Sequence, residues 1–324
     1  MCLLAPAVAE DALRLTATIP LPNVQDRIDH MAVDLEGQRL FVAAFGNHTM
    51  EVIDLKTKRL QASLLRLPGI QGIAYSPDTK KIFAALDDDG SCRVIDGPTL
   101  KEISRIDLKE NADTVRYDSK NRRVYVGQGS GALAVLDAAD GKNLGAIPLA
   151  AHPEGFVLEA NSPRIYINLP RALSVAVVDR EQMKILAKWS THLAVGNFPI
   201  ALDEHNHRLF VGCRFPSKLL VYDTESGRIV AEERINGDPD DIFYDTKRKQ
   251  LYVSCGAGYL DVIKQVDPDH YQKAAEVQTV AGARTSLWVP ESNQLYLAVP
   301  QHSKQPAELR VYEPTDRKTD LKTQ

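Results

Sequence analysis

The chain has 324 residues, 44% of them hydrophobic and 25% charged, which is the composition of a packed globular protein and not of a fibrous, disordered or membrane-spanning one. A formal net charge of −4 and a pI near 6.1 give no overall attraction to phosphate backbones, so nucleic acid is not expected as a partner. The length admits two average domains or one large all-β domain.

The first residues form an apolar run ending in Ala7-Val8-Ala9, the small-residue pattern at which secretory signals are cleaved. The basic segment that usually opens such a signal is missing. Residues 1–9 therefore read as a truncated signal-peptide remnant or as a plain small-residue extension. On the first reading the mature chain starts near Glu10 and the protein is periplasmic or secreted. No other stretch approaches the ~18 apolar residues of a membrane span.

Next comes a strand-like segment, Leu15-Thr16-Ala17-Thr18-Ile19-Pro20-Leu21. A unit then recurs at a period of about 41 to 45 residues. Its most regular part is a strand headed by a basic or amide residue: Arg39-Leu40-Phe41-Val42, Lys81-Ile82-Phe83-Ala84, Arg123-Val124-Tyr125-Val126, Arg164-Ile165-Tyr166-Ile167, Arg208-Leu209-Phe210-Val211, Gln250-Leu251-Tyr252-Val253 and Gln294-Leu295-Tyr296-Leu297. A further strand follows each, as in Val52-Ile53-Asp54 and Val221-Tyr222-Asp223, and most units add a fourth, as in Ile229-Val230-Ala231-Glu232. Short β-branched and aromatic runs bounded by Gly, Pro, Asn and Asp are strand chemistry.

Four strands per unit, in seven units, predict an all-β seven-bladed β-propeller of four-stranded antiparallel blades. After Glu313-Pro314 only a polar tail remains, residues 315–324, so the last unit lacks its fourth strand. The segment Leu15 to Leu21 is expected to supply it, closing the ring and covering the exposed edges. Residues 10–314 then form a single propeller domain. Cys92, Cys213 and Cys255 are too few and too scattered for a disulfide framework, and Cys213 and Cys255 occupy equivalent positions in adjacent blades, so all three read as buried thiols.

Units that open with Pro153-Glu154-Gly155 or Pro239-Asp240-Asp241, continue with a Leu-Tyr-Val strand and close with a Val-Ile-Asp turn resemble the YVTN-repeat propellers, including the YncE-like exported bacterial proteins. The resemblance covers roughly residues 13 to 314 and implies an exported propeller that binds a partner. Blade 1 departs from the pattern with Ile28-Asp29-His30 and blade 7 with Arg284-Thr285-Ser286, where that family usually carries Pro and Gly.

In such a ring the loops entering the inner strands share one face with the loops joining second and third strands, and sites collect there around the channel mouth. Aligning the inner strands on Met31, Ile73, Val115, Phe156, Ile200, Ile242 and Leu287 places Asp29, Gln71, Asp113, Glu154, Phe198, Asp240 and Thr285 around that mouth. His30, Asp241 and Ser286 fall beside them, with Arg27, Asn111, His152, Asn197, Asp238 and Arg284 slightly outward. The ligand-binding candidates are Asp29, His30, Asp113, Glu154, Arg171, Arg214, Asp240, Asp241 and Arg284. A polar channel wall would look similar, but so many acids at close quarters should require a bound cation or partial protonation.

Two function classes remain. One is a binding protein that takes an unidentified protein, peptide or small molecule at this mouth. The other is a metal-dependent enzyme of lactonase or lyase type, with a divalent metal ion as cofactor. Its metal ligands would come from Asp29, His152, Glu154 and Asp240, and its proton-transfer groups from His30, His152 and Glu154. No nucleophile elbow, P-loop, dinucleotide fingerprint or compact metal motif is present. Asp87-Asp88-Asp89-Gly90 lacks the spacing of a calcium loop and reads as a turn.

Overall fold

A computed structural model describes residues 12–129, 131–302 and 305–315. The signal-like residues 1–9, Ser130, Ser303 and the tail beyond Thr315 lie outside the described residues. The described chain forms 28 strands gathered into seven four-stranded antiparallel sheets, with two short 3-10 turns, Phe45–Asn47 and Pro170–Ala172, as its helical elements. None of its helices is long and apolar enough to cross a membrane.

The inner strands are Met31–Asp34, Ile70–Ser76, Ala112–Asp118, Phe156–Leu158, Val195–Asp203, Pro239–Asp245 and Ser286–Val289. Each touches the next, and the last touches the first, so the blades close into a seven-bladed ring. The seventh blade is completed by Leu13–Pro20, which pairs antiparallel with Glu308–Pro314 in the register Leu13 to Pro314 and Ile19 to Leu309. Leu13, Ile19 and Leu21 are fully buried, so this strand is held by core packing as well as by its ladder.

Second strands are buried on both faces, which is why they read as continuous apolar runs and carry the repeat signal. Their third residue is a buried aromatic in every blade: Phe41, Phe83, Tyr125, Tyr166, Phe210, Tyr252 and Tyr296. Fourth strands such as Arg59–Leu64 and Asn143–Pro148 lie at the rim, mostly exposed, and their sequences are correspondingly weak. The core is divided into seven clusters, one at each contact between neighbouring blades, so stability is distributed around the ring. Cys92, Cys213 and Cys255 are free thiols buried in these clusters.

The basic residue that heads several second strands reaches the adjacent blade. Arg39 donates to the Gly97 carbonyl at 2.6 Å, Arg164 to that of Thr224 at 3.1 Å and Arg208 to that of Pro268 at 3.0 Å. On this lower face the inner strands of four blades end in Asp34, Asp118, Asp203 and Asp245, and Glu159 follows directly on that of blade 4, all five acids buried. The four aspartates accept backbone N–H groups from the turns that follow. They are structural acids, which caps the lower face with satisfied turns and leaves the upper face for a site.

Candidate functional site at the channel mouth

Register corrects the sequence alignment at blade 7. Met31, Ile73, Val115, Phe156, Ile200 and Ile242 each pair with the fourth residue of their second strand, whereas in blade 7 that position, Leu297, pairs with Ser286 and not with Leu287. The residue two places before is then Arg284 and not Thr285. The mouth ring is Asp29, Gln71, Asp113, Glu154, Phe198, Asp240 and Arg284. Thr285 belongs to the next ring down, where its hydroxyl donates to the Ile28 carbonyl at 3.1 Å and joins blade 7 to blade 1. In blades 2, 3, 5 and 6 the pairing of inner and second strands slips beside the ring residue, and such a bulge re-aims side chains. Gly72 and Gly155, one place further on, are where the next blade's backbone comes closest. A Cβ on Gly72 would strike the Asp113 carbonyl, and one on Gly155 that of Phe198.

The acids of the mouth are largely neutralised by cations of the mouth. Arg214 of blade 5 and Arg284 of blade 7 both grip the blade 6 acids: Arg214 Nε lies 2.9 Å from Asp238 and its Nη2 binds Asp240, while Arg284 contacts Asp238 at 2.8 Å and Asp240 at 3.1 Å. The Arg214 guanidinium also lies 3.8 Å from the centroid of the Phe198 ring. Asp29, 1% exposed, pairs with Arg27, which donates to Gln71 at 3.1 Å. Burial outweighs that pairing and pushes the Asp29 carboxyl up to about 6.

His30 stands between two acids, 3.6 Å from Asp241 and 3.7 Å from Asp29. Burial by itself would lower its pKa, but the Asp241 and Asp29 carboxylates overcome that and hold it at about 10, so His30 is an imidazolium at neutral pH. Asp241 also accepts the Ser286 N–H at 2.8 Å.

His152, Asp113 and Glu154 form a second group. The His152 Nδ1 lies 2.6 Å from the Gly129 carbonyl, which makes Nδ1 the donor and turns Nε2 toward Asp113 at 3.3 Å and Glu154 at 4.0 Å. The hydrogen bond to Asp113 is the main reason the imidazole is raised to about 9. Burial, then the Asp113 charge, raises Glu154 to about 7. Burial thus pushes the Asp29, Glu154 and Asp240 carboxyls upward, the direction of the partial protonation expected from the crowded acids. One ligand atom from each of Asp113, His152 and Glu154 lies within 4.8 Å of the others, a spacing suited to a metal ion. Asp29 and Asp240, the other two metal candidates, are engaged by arginines instead.

Below the mouth the channel holds two adjoining cavities of about 200 and 250 Å³. Arg116, His30, Asp241 and Phe243 line both. Three residues below the mouth ring, the seven blades present Ala32, Ala74, Arg116, Val157, Ala201, Phe243 and Leu287, all on the cavity walls. Arg116 is the only charge in that ring. It donates to the Val115 carbonyl at 2.9 Å and lies 5.8 Å from the Phe156 ring centroid, and among the described residues no carboxylate forms an ion pair with it. Burial lowers its pKa, while Asp241 and Asp113 partly offset the effect. Sequence reasoning missed Arg116, although one Arg at a position otherwise filled by Ala, Val, Leu and Phe is a legible signal.

One ligand candidate and two further histidines lie elsewhere. Arg171 is exposed on the 3-10 turn Pro170–Ala172, and no described contact brings it to the mouth. His48 accepts the Gly69 N–H at 2.9 Å, fastening an upper loop of blade 1 to blade 2, and His302 is exposed in a bridge to Gln305. Asp89 is held by Arg93 at 2.6 Å and Arg105 at 3.5 Å, as befits a turn.

No protein-family model matches the chain, and no curated protein matches it. Among solved structures, a chain of the Kuenenia stuttgartiensis hydrazine synthase is similar at 14% identity, with a TM-score of 0.74 over 85% of this chain and 94% of that one. A chain of a mitotic checkpoint complex is similar at 11% identity, with a TM-score of 0.81 over 98% of this chain and 96% of that one. At such identities the likeness shows the propeller fold alone.

Proposed function

We propose that this protein is a YncE-like, exported binding propeller that admits a small molecule through the upper mouth into the central channel. The observation that carries the reading is the pair of adjoining cavities walled by Ala32, Ala74, Val157 and Ala201, small side chains that leave the channel open beside Arg116. A concave, mixed apolar and polar space with fixed charged groups is the usual form of a small-ligand site. The mouth charges support binding over reaction, since Arg214, Arg284, Asp238 and Asp240 satisfy one another before any ligand arrives. Screening a diverse set of small metabolites by thermal shift should yield ligands that raise the melting temperature. Filling the channel with Ala201→Phe should weaken them at least about tenfold. Ligands indifferent to a filled channel would sink the reading. The export proposal rests on Ala7-Val8-Ala9 and on the resemblance, and N-terminal sequencing of natively produced protein should find a start near Glu10.

A second reading, a metal-dependent enzyme, is favoured by Asp113, His152 and Glu154 alone. Held by the Gly129 carbonyl, the imidazole offers Nε2 as a ligand between two carboxylates, and a bound divalent ion there would polarise a carbonyl. This reading predicts that Zn²⁺ or Co²⁺ binds the EDTA-treated protein with heat detectable by calorimetry and that His152→Ala abolishes it. A melting temperature indifferent to EDTA, calcium, zinc and magnesium would remove it.

A further inference from the structure

Five charged side chains line the 200 Å³ cavity: His30, Arg116, Glu154, Asp240 and Asp241. Three are satisfied by neighbours. His30 and Asp241 pair with each other, and Asp240 is held by Arg214 and Arg284. Arg116 and Glu154 are not. The described residues provide no ion pair to the Arg116 guanidinium. The Glu154 carboxylate accepts no hydrogen bond from them, its nearest cation being the His152 ring at 4.0 Å. A cation and an anion, each with unused hydrogen-bonding capacity, therefore face one cavity whose remaining wall includes Phe156, Phe198 and Phe243.

Leaving two partly buried charges short of partners has a cost that a ligand carrying both complementary charges would offset. A ligand with only an anionic group would leave Glu154 unsatisfied and meet repulsion from the cavity acids. One with only a cationic group would leave Arg116 unsatisfied. We infer that the channel binds a small zwitterion with an apolar body, of the α-amino acid class, its carboxylate on Arg116, its ammonium on Glu154 and its side chain among the phenylalanines. The inference rests on the channel-binding reading above and specifies its ligand. Aromatic faces suit both the apolar body and the ammonium end.

The test is calorimetric titration of the full-length, EDTA-treated protein with three probes of one shape: phenylalanine, 3-phenylpropionate, which lacks the ammonium, and 2-phenylethylamine, which lacks the carboxylate. Phenylalanine should bind at least about tenfold more tightly than either analogue, the value of one charge-assisted hydrogen bond. Arg116→Met should erase its advantage over the amine, and Glu154→Gln its advantage over the carboxylate. The wild-type comparison decides the matter even if a variant folds poorly. An analogue that binds as tightly as phenylalanine overturns the zwitterion inference, as does a lack of binding by all three. Channel binding as such is decided separately, by the metabolite screen and by whether its ligands are weakened in Ala201→Phe.

Discussion

At the scale of the residue, the channel mouth shows how placement decides chemistry. Asp29 and Asp241 both flank His30, Asp29 beside Arg27 and Asp241 accepting the Ser286 N–H, and burial raises the Asp29 carboxyl to about 6. The linkage has a definite sign. His30 has a folded pKa of about 10, above the 6.5 of a free imidazole, so its stabilisation is complete below 6.5 and is lost as pH rises through 10. The raised Asp29 acts in the same direction at lower pH, its contribution fading between 3.8 and 6. We expect the melting temperature to fall from pH 7 to 9.5. In His30→Asn the fall should be shallower by about 5 °C, measured by circular dichroism across the series. Parallel pH profiles for the two proteins would contradict the assigned His30 charge.

At the scale of the element, what joins blade to blade is side chain on backbone and side chain on side chain, since hydrogen-bonded ladders stay within each blade. Arg180 illustrates it. Its side chain is 2% exposed, pairs with Asp118 of blade 3 at 2.9 Å and donates to the Glu159 carbonyl at 2.9 Å. Removing one partner of a buried pair leaves the other charge stranded, so Arg180→Met should cost about 3–5 kcal/mol in urea unfolding. Adding Asp118→Asn should recover part of that loss, because the stranded charge is then gone while the amide oxygen still accepts the turn N–H groups. A double variant no more stable than Arg180→Met would show that the carbonyl contacts matter more than the ion pair.

At the scale of the whole molecule, ring closure depends on one strand from the far end of the chain. Thr315 donates to the Ala12 carbonyl at 3.0 Å, so the two ends of the described ring are adjacent. A permutant that joins Thr315 to Ala12 through a short turn and opens the chain between Gln25 and Asp26, both exposed, should melt within about 5 °C of the parent. Deleting residues 12–21 instead would bare the edge of Glu308–Pro314 and empty the sites of Leu13, Ile19 and Leu21, and we expect aggregation by light scattering. A monomeric, stable deletion protein would show that the ring does not need its closing strand.

The same scale separates what was written in the sequence from what was not. Blade number, strand type and the closing strand were legible, because second strands buried on both faces must be apolar along their length and so repeat visibly, from Arg39-Leu40-Phe41-Val42 to Gln294-Leu295-Tyr296-Leu297. Most of the mouth ring followed from that spacing. The place of Arg284 did not, since blade 7 enters its sheet one residue earlier than the spacing suggested and only the pairing of Ser286 with Leu297 reveals it. Nor did the neutralisation of the acids or the open pair Arg116 and Glu154. Residue order determined the repeating blade through local periodicity, whereas the charge pairs join side chains from different blades, and their distances exist only once the ring has closed.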